Sequence, residues 1–271
     1  MARHINADVA SWDYAQIWDK FPVPARPSRE ELKFLKEDIA MRPHDNFLIL
    51  GSTIEYRKLC KELGIAPMVA DFDRTHYEIL TSYAKESFVG EHFCEIDWLA
   101  IEEENAYDII VGHRAINVIG KEVLPNFFAH MYRALKPGGV FYCKGNIFFT
   151  GEKDCLNELI DKWAFRQEQA YPLFSYIEVQ LYFHTADKDG YVVYPEARRV
   201  VDDTFQDKRC NAKDYELMKL LVSMSHAARF RGLIHEREVQ DIIDKVGFRR
   251  CDWIVLDRDI CKNMPIIRLE K

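Results

Sequence analysis

The stretch NFLILGSTIEYRKL, Asn46 to Leu59, runs from an apolar strand through one glycine directly into a polar, helix-like segment. A turn from a buried strand into a helix is a common binding place for nucleotide-type ligands in α/β proteins. This turn has a single glycine, Gly51, where the familiar phosphate-binding loops have two or three. The sequence on either side decides between a variant cofactor loop and a plain turn.

From Asn46 onward, short apolar runs alternate with longer amphipathic stretches. The predicted strands are FLILG, APMVADF, EHFCEIDW, YDIIVGH and GVFYCKGNIF, followed near the end by RRCDWIVLDRD and MPIIRLEK. The segments TIEYRKLCKEL, RTHYEILTSYAK, LPNFFAHMYRAL and HEREVQDIIDKVGF between them have helical periodicity. Nearly continuous apolar strands separated by helices indicate a sheet covered on both faces. We therefore predict a doubly wound, Rossmann-like α/β fold with a mostly parallel seven-stranded sheet.

One further region precedes this alternation of strands and helices, and another interrupts it. Residues 1–45 are predicted to be a helical N-terminal extension or lid, with one helix in DVASWDYAQIWDKF and another in SREELKFLKEDIA, where Ser28 is the N-cap and Glu31 its capping-box partner. Within the main domain, residues 46–271, the segment 151–232 is predicted to be an insertion on the substrate side. It is expected to contain a helix, an extended aromatic stretch with a hairpin near Asp189-Gly190, and a second helix.

The composition narrows the functional classes. The chain has 271 residues, 48% of them hydrophobic, and its 37 basic against 44 acidic residues give a formal charge of -7, which argues against nucleic acid as the main partner. Seven cysteines without CxxC spacing indicate reduced thiols and no metal site, and a zinc set of Cys210, His226 and His235 fits no ligand pattern. No apolar run approaches the roughly 18 residues of a membrane span. The expected location is the cytoplasm.

The absence of two common phosphate-binding motifs narrows the range of possible cofactors. The sequence has no GxxxxGK[ST] and no GxGxxG, and Ser52-Thr53-Ile54 would crowd a pyrophosphate against the backbone. A nicotinamide dinucleotide is therefore the weaker cofactor hypothesis. The loops after the strands carry acidic and neutral polar side chains, which suit a cationic ligand that contains a nucleoside.

The segments FLILGSTIEYR, ADFDRTHYEIL, EIDWLAI, YDIIVGHRAINVI and LKPGGVFYCK, taken in this order, resemble class I S-adenosylmethionine-dependent methyltransferases. PARPSREEL followed by LGSTIEYR is similar to a bacterial subgroup whose first loop reads roughly LGxTPELR. The resemblance covers residues 12 to 150 well, and residues 233 to 271 in pattern only. It implies S-adenosyl-L-methionine as cofactor and a small-molecule methyl acceptor.

The resemblance also implies a set of cofactor-binding residues: Gly51, Ser52, Thr53, Glu55, Arg57, Asp73, Asp97, Trp98 and Gly112. The first three would lie beneath the methionine part, with Glu55 and Arg57 completing the subgroup signature. Asp73 would bind the ribose, with Asp71 as the rival assignment. Asp97 and Trp98 would contact and flank the adenine.

Two residues at the end of the fourth strand are the catalytic candidates. His113 is a potential general base and Arg114 a potential clamp for a carboxylate, although either residue can instead hydrogen-bond the backbone. The resembling subgroup often has an acidic residue at His113 and a proline at Ile54. Four residues are candidates for binding the acceptor: Tyr14, Trp18, Tyr176 and His184. The alternative for each of these is a place in the hydrophobic core.

The sequence therefore favours a methyltransferase that transfers a methyl group from S-adenosylmethionine to a small molecule. The alternative is a binding or regulatory protein that keeps this fold without methyl transfer, and a less favoured one is an NAD-dependent oxidoreductase. Nothing in the sequence indicates the acceptor atom or the oligomeric state.

Overall fold

The computed structural model describes residues 18–149, 151, 153–164, 171–223 and 230–271. Nine strands, numbered in chain order, are β1 Phe47–Leu50, β2 Met68–Asp71, β3 His92–Glu95, β4 Tyr107–His113, β5 Leu135–Lys144, β6 Ile147–Phe148, β7 Ile234–His235, β8 Arg250–Ile254 and β9 Ile266–Glu270 within these ranges. Seven of them form one sheet in the order β3-β2-β1-β4-β5-β9-β8, and β6 pairs with β7.

Strands β1 to β5 are parallel to one another, whereas β9 is antiparallel to both β5 and β8. This confirms the predicted mostly parallel, seven-stranded α/β fold. The register places Leu50 opposite both Ala70 and Gly112, so β1, β2 and β4 end at the same edge of the sheet. The strand order reverses between β1 and β4, which makes this edge the expected place for a ligand.

Eleven helices are present in the same described part of the chain, besides short 3-10 turns at Trp18–Lys20 and Trp98–Ala100. They are α1 Arg29–Ala40, α2 Ile54–Leu63, α3 Arg74–Ala84, α4 Ala115–Val118, α5 Leu124–Ala134, α6 Leu156–Ala164, α7 Leu173–His184, α8 Tyr194–Gln206, α9 Ala212–Ser223, α10 Glu236–Val246 and α11 Arg258–Cys261. Among the described residues, no helix is long and apolar enough to cross a membrane.

Strand side chains alternate between two cores. Leu48, Leu50 and Ile110 pack on the face that is covered by α5 and α10, while Ile49 and Val111 pack on the face covered by α1 and α2. A third core, between α6, α7, α8 and α9, contains Trp163, Phe174, Leu181, Val201 and Met218. The helices that follow β6 therefore have an apolar core of their own beside the sheet.

The prediction for the aromatic stretch after residue 171 was wrong in one respect. Its β-branched and aromatic residues suggested an extended segment, but Leu173–His184 is a helix that is buried on nearly every side. Burial on all faces removes the polar stripe that identifies a helix from sequence. A turn with a bridge between Ala186 and Val192 does lie at the predicted hairpin, and helix α8 behind it was not predicted. The first predicted helix, in residues 8–21, lies outside the described residues except for its last turn.

The N-cap prediction at Ser28 is confirmed, because Ser28 Oγ accepts a hydrogen bond from the amide of Glu31 at 3.0 Å. The capping-box role of Glu31 was wrong. Its carboxylate turns to the sheet and accepts hydrogen bonds from Tyr56 Oη and Lys144 Nζ. The buried ammonium at the end of β5 attracts this carboxylate more strongly than a backbone amide does.

Candidate functional site

A cavity of about 220 Å³ opens at the sheet edge where β1, β2 and β4 end. Its walls come from the sheet loops, from the segment before α1 and from the helices after β6. The lining residues are Trp18, Phe21, Ala25, Leu50, Gly51, Ser52, Thr53, Asp71, Phe72, His76, Leu80, Trp98, His113, Arg114, Val118, Phe174, Glu178, Tyr182, Tyr194, Leu221 and Phe230. The structure thus brings together Gly51, Ser52, Thr53, Trp98, His113, Arg114 and Trp18 from the predicted set.

The first loop is fixed by the strand next to it. Gly51 has a φ of +83°, which favours glycine, and its amide donates to Ala70 O at 2.8 Å. Ser52 is buried and donates from Oγ to Asp71 Oδ2 at 2.6 Å. Thr53 is the N-cap residue of α2 and makes no side-chain capping bond. This loop therefore presents backbone and two hydroxyl side chains to the cavity in place of a glycine-rich cradle.

The two acidic residues after β2 have different environments. Asp71 is buried, lines the cavity, and has His76 Nδ1 3.2 Å from the same Oδ2 that accepts from Ser52. Asp73 caps α3 by accepting from the amides of Thr75 and His76, and the described residues that line the cavity do not include it. The geometry favours the rival assignment, Asp71, over Asp73 as the acid that faces a ligand.

The loop after β3 contains two predicted site residues, and the structure gives them different roles. Trp98 is buried against the cavity, where its Nε1 donates to Ala70 O at 2.8 Å and a Cβ built on Gly51 would lie 3.7 Å from Trp98 Cζ2. The carboxylate of Asp97 accepts from the amide of Leu99 as the cap of the short turn. Asp97 is not among the cavity-lining residues that the structure describes. Trp98 therefore forms a wall of the site, and Asp97 supports that wall.

Glu55 and Arg57, on the first turn of α2, lie beside the cavity and do not line its described part. Glu55 accepts from Trp18 Nε1 at 3.1 Å and lies 3.6 Å from Arg26, and burial raises its pKa above the ordinary value. Arg57 is buried in a bidentate ion pair with Glu91, with its guanidinium 4.6 Å from the ring centre of Tyr77. Arg57 thus fixes α2 against α3.

Glycine at position 112 is required by packing. An added Cβ there would meet the Cβ of Ala115 at 2.9 Å, and Gly112 does not appear among the described lining residues. Its absent side chain lets α4 begin immediately after β4. That close approach brings the next two residues, His113 and Arg114, to the mouth of the cavity.

His113 is buried and already engaged. Its Nε2 lies 3.1 Å from the carbonyl oxygen of Ala25, so Nε2 carries a proton and donates it to that bond. Its Nδ1 lies 3.8 Å from Glu31 Oε1, beyond hydrogen-bond distance. Burial lowers the pKa of His113, although Glu31 opposes the shift. In this geometry His113 holds the segment before α1 over the cavity.

Arg114 follows in the left-handed conformation, with a φ of 55°. Its guanidinium forms two 2.7 Å hydrogen bonds to the carboxylate of Glu178 on α7, which is 1% exposed. This bidentate pair joins the sheet edge to the helices after β6. Glu178 was not predicted as a site residue, because nothing in the local sequence separates it from a solvent-facing acid.

The four predicted acceptor-binding residues are dispersed. Trp18 lines the cavity, Tyr14 lies outside the described residues, and Tyr176 packs against Tyr171 with ring centres 6.3 Å apart. His184 is exposed at the end of α7, where its Nε2 lies 2.7 Å from Asp154 O. The side chains that α7, α8, α9 and residue 230 place in the cavity are Phe174, Glu178, Tyr182, Tyr194, Leu221 and Phe230. The spacing of four between Phe174, Glu178 and Tyr182 was the available signal, given that α7 is a helix.

No protein-family model matches this chain, and no curated protein sequence matches it. Solved structures do match it over most of its length. One, from Methanococcus maripaludis, is provisionally described as an S-adenosyl-L-methionine-dependent methyltransferase; it is 16% identical, with a TM-score of 0.51, over 96% of this chain and 91% of that one. A second, provisionally described as a methyltransferase, was solved in complex with the Haloferax volcanii methyltransferase activator Trm112; it has 13% identity and a TM-score of 0.53, with 97% of both chains covered.

A third match, from Rhodobacter sphaeroides, has 16% identity and a TM-score of 0.56 over 96% of this chain and 98% of that one. It is provisionally described as a zinc-dependent alcohol dehydrogenase. The described residues of our chain contain no group of three or more His, Cys, Asp or Glu side chains placed to hold a metal ion. At these identities the likeness establishes the fold. Several of the structural neighbours are described, provisionally, as methyltransferases, which confirms the resemblance to the class I methyltransferase fold.

Proposed function

We propose that this protein is an S-adenosylmethionine-dependent methyltransferase that acts on a small molecule. The observation that carries the proposal is the cavity at the β1/β4 switch point, where Gly51, Asp71 and Trp98 lie together. In an open α/β sheet this edge is the ligand-binding edge. The cavity is a partly open pocket of small-molecule size, and the chain's charge of -7 does not favour a nucleic-acid substrate. A cytoplasmic location fits the reduced cysteines.

The residues present fit the cofactor. Asp71, at the end of β2, would accept hydrogen bonds from the ribose hydroxyls, and Trp98 would pack on the adenine ring. Gly51, Ser52 and Thr53 would lie beneath the methionine part, whose positive sulfur suits a cavity with buried carboxylates. Arg57, Gly112 and Asp97 would contribute by holding these loops in place. Glu55 would hold the segment before α1 beside the cavity through its contacts with Trp18 and Arg26.

In methyl transfer from this cofactor, the main task of the protein would be to align the acceptor with the methyl group. When bound, the cofactor supplies an electrophilic methyl group: a lone pair of the acceptor forms the new bond to carbon, and sulfur keeps the electron pair of the broken bond. The proton of the acceptor leaves to solvent or to a base. The aromatic walls would exclude water and align the acceptor, and Arg114 would shape the cavity through its pair with Glu178. The segment 151–232 would supply the acceptor side of the site.

The second candidate is a protein that binds the cofactor without transferring its methyl group. It is favoured by the engagement of both catalytic candidates, since His113 bonds Ala25 and Arg114 bonds Glu178. Release of S-adenosylhomocysteine in the presence of acceptors separates the two candidates. The remaining alternative, an NAD-dependent oxidoreductase, requires NAD(H) to bind, and isothermal titration calorimetry measures that binding directly.

The first test is isothermal titration calorimetry with S-adenosylmethionine and S-adenosylhomocysteine. We expect binding by the native protein and a loss of about tenfold or more in Asp71→Asn, because one charged acceptor of hydrogen bonds is removed. Asp73→Asn is the matched control, since asparagine still caps a helix, and its affinity should remain within about twofold. Absence of binding at millimolar cofactor would reject the proposed function. A larger loss in Asp73→Asn than in Asp71→Asn would reject the ribose assignment.

A further inference from the structure

One side of the cavity is lined by the helices after β6 and by the segment before β7. We call it the acceptor half and define it by six side chains: Phe174, Glu178, Tyr182, Tyr194, Leu221 and Phe230. They come from α7, α8, α9 and the segment before β7. Four of the six carry aromatic rings, so flat apolar surface dominates this half of the site.

Helix α7 supplies one complete face of the acceptor half. Phe174, Glu178 and Tyr182 are spaced by four residues and therefore lie on one side of the helix. All three are buried, with exposures of 1%, 1% and 6%. Leu173 and Leu181, on the adjoining side of α7, pack into the third core, to which Phe174 and Tyr182 also belong. Phe174, Glu178 and Tyr182 all line the cavity as well, so this face of α7 presents two rings and one carboxylate to it.

Two of the rings that line this half are in contact with each other. Tyr182 and Phe230 meet edge to face with their centres 5.5 Å apart. The guanidinium carbon of Arg114 lies 5.8 Å from the centre of the Phe230 ring. Rings arranged in this way offer both faces and edges to a further ring, which is the preferred geometry of aromatic contacts.

The charges in this half already compensate one another. Among the described residues that form and border it, Arg114 is the cation, and it is bound by both carboxylate oxygens of Glu178. A carboxylate ligand would have to compete with Glu178 for the guanidinium, and an ammonium ligand would have to compete with Arg114 for the carboxylate. Since an unpaired buried charge is costly, the site disfavours charged acceptors of either sign.

We propose that the acceptor half binds a neutral, planar ring compound. The inference deepens the proposed function and rests on it, because it names the class of molecule that would receive the methyl group. A flat ring would lie against Phe230 and the α7 face of Phe174 and Tyr182. Saturated rings and charged analogues of the same size would fit less well.

The probe is 2-naphthol, titrated into the protein saturated with S-adenosylhomocysteine and followed by calorimetry. The comparison compounds are 2-naphthoate, which adds a negative charge, and 2-decalol, which is saturated and not planar. We expect 2-naphthol to bind about tenfold more tightly than either compound, from lost ring contacts in one case and a buried charge in the other. Equal affinity for the three compounds, or preference for 2-naphthoate, would overturn the inference.

Phe230→Leu keeps an apolar side chain but removes the ring, so the affinity for 2-naphthol should fall about tenfold. Tyr194→Leu is a second variant in case the first does not fold. The matched control is Phe205→Leu, because Phe205 stacks on Tyr215 away from the cavity, with ring centres 4.1 Å apart. Unchanged 2-naphthol binding in a folded Phe230→Leu or Tyr194→Leu protein would also reject the inference. Failure of the native protein to bind S-adenosylhomocysteine would instead reject the proposed function.

Discussion

At the scale of single residues, the most unusual feature is the buried carboxylate of Glu31. It accepts from Tyr56 and Lys144 and has His113 beside it, and it is 1% exposed. Burial by itself would raise the pKa of Glu31, but the charge of Lys144 and then His113 more than offset it, so the net shift is below the ordinary value of 4.5. Its charge therefore contributes stability that is fully present above pH 4.5 and is lost as the pH falls below it.

Glu31→Gln tests this directly. The variant should lose about 3 kcal/mol of unfolding free energy at pH 7, because Lys144 is left buried without its counter-charge. The difference from the native protein should shrink as the pH falls below 4.5, by up to about 1.4 kcal/mol per pH unit. Urea unfolding between pH 7 and pH 4 measures both effects. Glu37→Gln on the exposed side of the same helix, 3.9 Å from Lys33, is the control and should change stability by less than about 0.5 kcal/mol.

Asp71 and Asp73 show a choice between two residues that the sequence alone does not decide. Asp71 lies at the end of the predicted strand and Asp73 just after it, and aspartate is common both at helix caps and in binding sites. Their difference depends on Ser52 and His76, which only the packed sheet brings to Asp71. The sequence therefore predicted the loop that holds an acidic residue, and the three-dimensional structure was needed to choose between two candidates.

At the scale of elements, the KPGG segment, which begins before the predicted strand GVFYCKGNIF, is the irregular beginning of β5. The register shifts here, with Tyr107 opposite Leu135 and Ile109 opposite Val140. A Cβ on Gly139 would lie 3.0 Å from Tyr107 O and 3.1 Å from Asp108 O. Gly138 has a φ of +79° and open space around it. The two adjacent glycines are therefore needed for different reasons.

Alanine at each position separates these reasons. Gly138→Ala should cost about 1 kcal/mol, since it adds only left-handed strain, whereas Gly139→Ala should cost about 3 kcal/mol because the backbone of β4 has to move. Chemical unfolding of the two variants side by side gives the comparison. An equal cost at both positions would contradict this expectation, because it would show that the backbone of β4 moves away from position 139 easily.

Helices that the sequence predicted have a polar face or a defined boundary, although helix α8, which has both, was missed. Helix α10 has apolar residues at helical spacing and ends at Gly247, whose φ of +94° suits a C-cap. Helix α7 has neither a polar face nor a capping side chain, and its β-branched and aromatic residues favour strands in isolation. Tertiary burial overrides that local preference. The acceptor side was predicted to lie within residues 151–232, but Phe174, Glu178 and Tyr182 were not singled out, because that choice depends on which face of α7 meets the cavity.

At the scale of the whole molecule, the segment before α1 closes one side of the cavity. We call residues 18–28 the strap; its Trp18, Phe21 and Ala25 line the site. Glu55 accepts from Trp18 Nε1 and lies near Arg26, and His113 donates to Ala25 O. A ligand in the cavity would therefore contact the sheet loops and the strap together.

Hydrogen exchange of the strap amides tests this attachment without assuming activity. Trp18→Phe removes the donor to Glu55, and exchange in residues 18–28 should become about fivefold faster, as expected for one hydrogen bond. Trp253→Phe removes a comparable 3.1 Å bond to Gln240 at the far edge of the sheet and should leave the strap unchanged. Strap exchange that is the same in Trp18→Phe and in the native protein would show that this bond does not hold the strap. Added S-adenosylmethionine should slow exchange in the native strap.

The position of β9 sets the order in which the molecule can be completed. This strand, Ile266–Glu270, lies between β5 and β8 and pairs with both. On a ribosome β5 is made long before β9, so a nascent chain carries the hydrogen-bonding edge of β5 without the strand that belongs there. Exposed edges of this kind invite pairing with other chains. The protein therefore passes through a vulnerable interval during synthesis, which lasts until residues 266–270 have been made and can pair with β5.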